Sequence, residues 1–269
     1  MSHDPTSRLE RRTAQAYREL APPPPLTPFV DRFWHAAASE NRNFQHYTII
    51  PDGCVDVVYE VLSRQVRCLI FGASSQTRLF QVTPDANYLG IRFRPGMARH
   101  VLDIPPDELT DRNLELPKFL GLRPEEVVDA ATFFSAQSEL LGHALIKTLH
   151  QQDVMPTPLD QAIEHVQQEQ EIWRVETLAD MCGLSLRQVE RSVKAAVGLP
   201  PKLLMRILRV QAAIMALQRA PQGSLVDLAA ALGYSDQAHM NRDFRLLTGS
   251  TPAQYRLALI RKAQAKTGT

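Results

Sequence analysis

Apolar residues three and four positions apart, closed off by turn residues, form the clearest pattern in this chain, and it is sharpest near the C-terminus. In Ser224–Gly233, Leu228, Ala229 and Leu232 share one helical face. Ser224 stands at the cap with Asp227 three residues on, and Gly233 offers the left-handed residue that ends a helix. The next run, capped by Ser235 or Asp236, carries Met240, Phe244 and Leu247 on one side and stops at Gly249. Thr251-Pro252-x-Gln254 opens a third helix with Thr at the cap, Pro in the first turn and Gln at the capping-box position. Ala229 is small enough for two helices to cross closely, so the first two runs predict a helix-turn-helix.

The same pattern occurs earlier. Leu178-Ala179-x-x-Cys182-Gly183-Leu184-Ser185 repeats as Leu228-Ala229-x-x-Leu232-Gly233-Tyr234-Ser235. Beyond the turn, Arg191, Val193, Lys194, Gly198 and Pro201 return as Arg242, Phe244, Arg245, Gly249 and Pro252. The offset grows by one residue within the turn. An in-register repeat of this length predicts two copies of one unit. Ser185-x-x-Gln188 is a capping box that opens the first copy's second helix, and Pro200-Pro201 starts a long helix through Gln218 that joins the copies. Thr157-Pro158-x-Asp160 begins a further helix ending near Gln170.

The first half reads differently. A short amphipathic helix is expected around Arg8–Leu20, broken by Pro22–Pro25. Strands are predicted at Tyr47–Ile50, Cys54–Tyr59, Val66–Phe71, Leu79–Val82 and Tyr88–Phe93, with a turn at Pro51-Asp52-Gly53. From Met97 the pattern turns helical, with one long segment from Pro124 to about Gln151. The stripe Val127, Ala131, Phe134, Leu141, Leu145 and Leu149 either packs on the strands or forms a dimer contact. The chain is thus expected to be α+β. Residues 1–152 form a small antiparallel β-barrel or sandwich ending in helices, 153–158 a linker, and 159–269 an all-α domain of two helix-turn-helix units on one long helix.

These motifs carry a resemblance. Thr157 to Arg256 resembles the DNA-binding domain of the AraC/XylS family of bacterial transcription regulators, most specifically over GYSDQAHMNRDFRLLTGSTPAQYR. Val193 replaces the aromatic that the family carries there. PDG at Pro51–Gly53 and RFRPG at Arg92–Gly96 resemble the β-rich sensing domains found in part of the family, which implies a cupin-like barrel. The resemblance implies double-stranded DNA, a small-molecule effector, a second copy of the chain and RNA polymerase as partners, with no cofactor and no catalysis.

Charge supports the division. From Gly183 onward thirteen Lys and Arg oppose four Asp and Glu, a net of +9 in a chain whose total is +1. A basic end on an acidic remainder is the electrostatic footprint of a nucleic-acid domain, although a solvated helical surface reads the same way. Three scattered cysteines, Cys54, Cys68 and Cys182, form no CxxC pair. Neither a membrane-length apolar run nor a signal-peptide core is apparent, so a cytoplasmic location is expected. His35, His46, His100, His143 and His150 include no HxH or HxxxH pair, which weighs against a metal-dependent enzyme.

The second helix of each unit is expected in the major groove, where Arg pairs with guanine and Gln or Asn with adenine. The candidate DNA-binding residues are Ser185, Arg187, Glu190, Arg191 and Lys194 in the first unit, and Gln237, His239, Asn241, Arg242 and Arg245 in the second. Lys194 and Arg245 are assigned to phosphate. Glu190 either accepts from cytosine or orients a neighbouring arginine. Trp34, Cys54, Tyr59, Arg92 and Arg94 are candidates to line an effector cavity in the barrel, although core or surface packing accounts for each more simply. The rival readings are an architectural DNA binder without effector, and a DNA-binding protein whose barrel is a metal-dependent enzyme.

Overall fold

The computed structural model describes residues 18–37, 46–62, 65–129, 134–169 and 174–267. In the first half, β1 (Arg18–Leu20), β2 (Val30–Ala37), β4 (Val55–Leu62), β5 (Gln65–Phe71), β7 (Asn87–Phe93) and β8 (Asn113–Leu116) form an antiparallel sheet in the order β1-β2-β7-β4-β5-β8. A separate ribbon pairs β3 (His46–Ile49) with β6 (Arg78–Gln81). Period-two alternation divides the sheet's side chains. On one face Phe33, Val57, Tyr59, Ile70, Leu89, Ile91 and Phe93 join a core with Leu109 of α1 (Pro106–Leu109), Val127 of α2 (Pro124–Asp129) and Leu141, Leu145 and Leu149 of α3 (Phe134–Gln151). On the other face the ribbon packs through Phe80, whose ring meets Phe71 and Tyr88 edge-on at 5.0 and 6.3 Å.

Two expectations are corrected here. Residues 18–20 are an edge strand, not the end of a helix; the rest of the predicted Arg8–Leu20 helix lies outside the described residues. Asn113–Leu116, within the stretch read as helical, is the opposite edge strand. Both edges are short and largely exposed: Arg18-Glu19-Leu20 has no apolar alternation, and that of Asn113-Leu114-Glu115-Leu116 spans only four residues, too few to mark a strand.

The second half is helical: α4 (Pro158–Glu169), α5 (Val175–Cys182), α6 (Leu186–Val197), α7 (Pro201–Arg219), α8 (Leu225–Ala231), α9 (Gln237–Thr248) and α10 (Pro252–Thr267). α5–α6 and α8–α9 are the repeated pairs. Val189, Val193, Leu204, Leu208, Met240, Phe244 and Tyr255 are all buried in one core, which also takes Ile50 and Ala73 from the first half.

That shared core makes the two halves meet along α7. Gln211, buried on α7, donates its side-chain amide to the Pro51 carbonyl. Gly53, at φ +76°, lies so close to α7 that an added Cβ would sit 2.9 Å from Leu204 Cδ1. A second joint centres on Asp160, fully buried in the first turn of α4. It accepts from Arg99 at 2.8 Å and from the Thr157 amide at 2.9 Å, with His100 Nε2 at 3.3 Å. Burial opposes its charge, but the His100 and Thr157 hydrogen bonds and the Arg99 charge outweigh that, holding the carboxyl down at about 2.

Candidate nucleic-acid interface and adjoining cavity

α6 begins with the capping box expected from its sequence: Ser185 Oγ accepts from the Gln188 amide, and the Ser185 amide donates to Gln188 Oε1 at 2.9 Å. Ser185 is therefore occupied in shaping the helix start. Val189 and Val193 are fully buried. This orientation turns Arg187, Glu190, Arg191 and Lys194 out to solvent, with Leu186 exposed beside them. Arg187, Arg191 and Lys194 form no ion pair among the described residues.

α9 repeats the geometry with different chemistry. Asp236, rather than Ser235, is the cap, accepting from the His239 amide at 2.6 Å, and that bond lowers its pKa. Ser235 Oγ lies 3.2 Å from His239 Nδ1. The His239 ring also packs edge-on against Tyr234 at 5.1 Å, with Nε2 4.0 Å from Asp243 Oδ2. His239 is thus half-buried and tied to its own scaffold. Gln237 and Asn241 are half-buried, whereas Arg242 and Arg245 are exposed and unpaired among the described residues. Ala238 is exposed one turn before Arg242, the place Arg187 holds before Arg191.

α7 sets the attitude of α9. Arg206 donates to the buried Asp243 at 2.8 Å, and the Arg209 guanidinium lies 4.9 Å from the centre of the Tyr234 ring. Arg256 also donates to the Gly223 carbonyl at 3.1 Å, so among the described residues at least three of the thirteen cations are engaged within the domain, which a charge count cannot reveal.

Comparison with known proteins addresses this unit directly. Residues 178–258 match a family described as "Helix-turn-helix domain", and residues 18–115 match "Domain of unknown function (DUF6597)". The chain carries an AraC-type helix-turn-helix domain. An uncharacterized HTH-type transcriptional regulator of Haemophilus influenzae is 27% identical over 122 residues, 44% of this chain and 41% of that protein. The HTH-type transcriptional regulator MtrA of Neisseria gonorrhoeae is 25% identical over 120 residues, 45% of this chain and 34% of its own length. The DNA-binding domain of AdpA, solved with a target DNA, is 26% identical over 40% of this chain and 96% of that one, with a TM-score of 0.37. The matched stretch spans less than half the length of either curated relative.

Against the AraC-type domain lies a cavity of about 420 Å³, bounded by the β3–β6 ribbon, the sheet face that the ribbon covers, and α7. Trp34, Cys54, Arg92 and Arg94 all line it. Tyr59 does not. It is one residue out of phase with Asp56 and Val58, so it points through the sheet into the helix-covered core, where burial raises its pKa. Arg92 is clamped by Asp56 at 3.0 Å and Asp52 at 3.4 Å. Burial disfavours its charge, but the two carboxylates keep its pKa above normal. Trp34 donates to Asp56 at 3.0 Å and lies flat over Gly90, where any Cβ would fall 2.0 Å from its ring. Arg94 donates to the Thr27 carbonyl at 2.8 Å. Sequence reasoning missed the α7 side of the cavity, including Leu208, Gln211 and Met215, because only the packing of the two halves brings that helix there.

Proposed function

We propose that this protein is a sequence-specific, non-enzymatic transcription regulator of the cytoplasm. Its two recognition helices, α6 and α9, enter successive major grooves, and a small molecule in the cavity controls it. The observation that carries the reading is the pair of capped helices held on α7 with Arg187, Arg191, Lys194, Arg242 and Arg245 exposed and unpaired among the described residues. Arg187, Arg191 and Arg242 are the guanine readers; Gln237 and Asn241 suit adenine; Lys194 and Arg245 hold phosphate. Glu190 stands between Arg187 and Arg191 on the same surface and restricts the choice of base. His239 positions the start of α9. The cavity supports control because α7 is both one of its walls and the rod between the recognition helices.

A homodimer and a contact with RNA polymerase belong to the reading. Leu141, Leu145 and Leu149 of the α3 stripe pack into the core, which argues for a dimer surface elsewhere; Ala131 of that stripe lies outside the described residues. Selection of bound sequences from random duplex DNA by the full-length protein, with and without cellular metabolites, tests the proposal. It predicts an enriched two-part site and an affinity that a metabolite alters. Enrichment of no sequence would refute it.

A further inference from the structure

The carboxyl ends of α6 and α9 are not left to solvent. Both are gripped by threonine hydroxyls from the β-rich half. Thr110, which follows α1, donates to the Gly198 carbonyl at 2.9 Å, just past the end of α6. Thr77, in the turn before β6, donates to the Leu247 carbonyl at 2.7 Å, in the last turn of α9. Helix ends carry carbonyls with no partner in their own helix, and each threonine fills one such position.

The two threonines are themselves tied together. Asp111 adjoins Thr110, and its carboxylate accepts from the Ser75 amide at 2.8 Å and the Ser75 hydroxyl at 2.6 Å. Its own amide donates to the Ala73 carbonyl at 3.1 Å. Asp111 makes these bonds from a left-handed backbone, φ +58°, that side chains other than glycine adopt at a cost. A continuous bonded path therefore runs from α6 through Thr110, Asp111, Ser75 and Thr77 to α9. It bypasses α7.

We infer that this path is a caliper. The β-rich half fixes the distance and angle between the two recognition helices, making Thr77, Thr110 and Asp111 positioning residues for how far apart the two halves of a DNA site must lie. The inference rests on the two-groove reading above. It adds that α7 alone does not set the span: a second brace, built from the other half of the chain, shares the task. Gly72 and Ser74, at the root of the Ser75–Thr77 turn, line the cavity, so one end of the brace lies at the effector site. Loss of the brace changes tolerance of spacing rather than choice of base.

The test uses the full chain and a two-part duplex chosen from random DNA. Derivatives of that duplex carry one base pair inserted or removed between its halves, a change of about 3.4 Å and about a tenth of a turn. The wild type is expected to bind both derivatives at least about tenfold more weakly, since neither groove then meets its helix. In Thr77→Val and Thr110→Val that penalty should shrink by about fivefold for each hydrogen bond removed. Affinity for the original spacing and the preferred bases should change less. Thr→Ser at either site keeps the hydroxyl and should keep the wild-type penalty. Asp111→Asn, which weakens the brace but leaves both helix contacts, supplies an independent variant should a valine form fail to fold. An unchanged spacing penalty in folded Thr77→Val/Thr110→Val and Asp111→Asn overturns the caliper and leaves the regulator reading intact. Failure of the wild type to select any two-part site removes that reading itself.

Discussion

Replacing Gly198 with alanine, and separately Gly249, compares two positions that the internal repeat makes equivalent. Both end a recognition helix in the left-handed region, at φ +85° and +78°. That conformation costs an L-residue about 1–2 kcal/mol, so both variants share this loss. Their surroundings differ. Nothing lies within 4 Å of an added Cβ at Gly249, whereas at Gly198 it would meet Thr110 Oγ1 at 2.4 Å and the Pro106 carbonyl oxygen at 2.5 Å. A backbone carbonyl in α1 cannot swing aside as a side-chain tip can. α1 must retreat, which breaks the Thr110 hydrogen bond at about 1 kcal/mol and adds overpacking strain of about 1–3 kcal/mol. Gly249→Ala should therefore cost about 1–2 kcal/mol and Gly198→Ala about 3–6 kcal/mol. Urea unfolding of the full chain, with equal slopes required for the comparison, measures both. Equal losses would refute the close packing of the first half against α6.

Other perturbations test the remaining joints. Asp160 is depressed from 3.8 to about 2, so its contribution is complete above pH 3.8 and is lost as pH falls towards 2. Asp160→Asn should cost about 2 kcal/mol at pH 7 and flatten the acid limb of a stability–pH curve; an unaltered limb would contradict the Arg99–Asp160 joint. Arg191→Ala and Arg242→Ala should each remove about 1–3 kcal/mol of discrimination at one base pair, read from binding to single-base variants of a selected site. Uniform weakening would demote that arginine to a phosphate contact. Gly90→Ala should displace Trp34 from the cavity wall, shifting its fluorescence and weakening any metabolite response while leaving DNA binding unaltered by metabolite in place; an unchanged emission spectrum would contradict the packing of Trp34 on Gly90.

Much of this was legible because helix ends are written in local chemistry. Ser185, Gln188, Gly198, Ser224 and Gly249 mark starts and stops through bonds to residues a few positions away, and the repeat doubled each signal. Central strands were legible for a similar reason, since β4 and β7 are rich in apolar residues. The rest depends on long-range packing. Tyr59 looked like a cavity residue until the register of β4 put it on the other face. His239 looked free, although Ser235, Tyr234 and Asp243 hold it. Gln211 meets Pro51 across 160 positions of sequence, a distance over which no local pattern operates.

The central claim is that α6 and α9 occupy neighbouring major grooves on one face of a single duplex. Guanine-methylation interference on a selected site tests it most directly, since methylation blocks the major-groove edge that arginine reads. The account predicts two clusters of interference about 10 base pairs apart, the first relieved in Arg191→Ala and the second in Arg242→Ala. A single cluster, or two that respond to the same arginine, would contradict it.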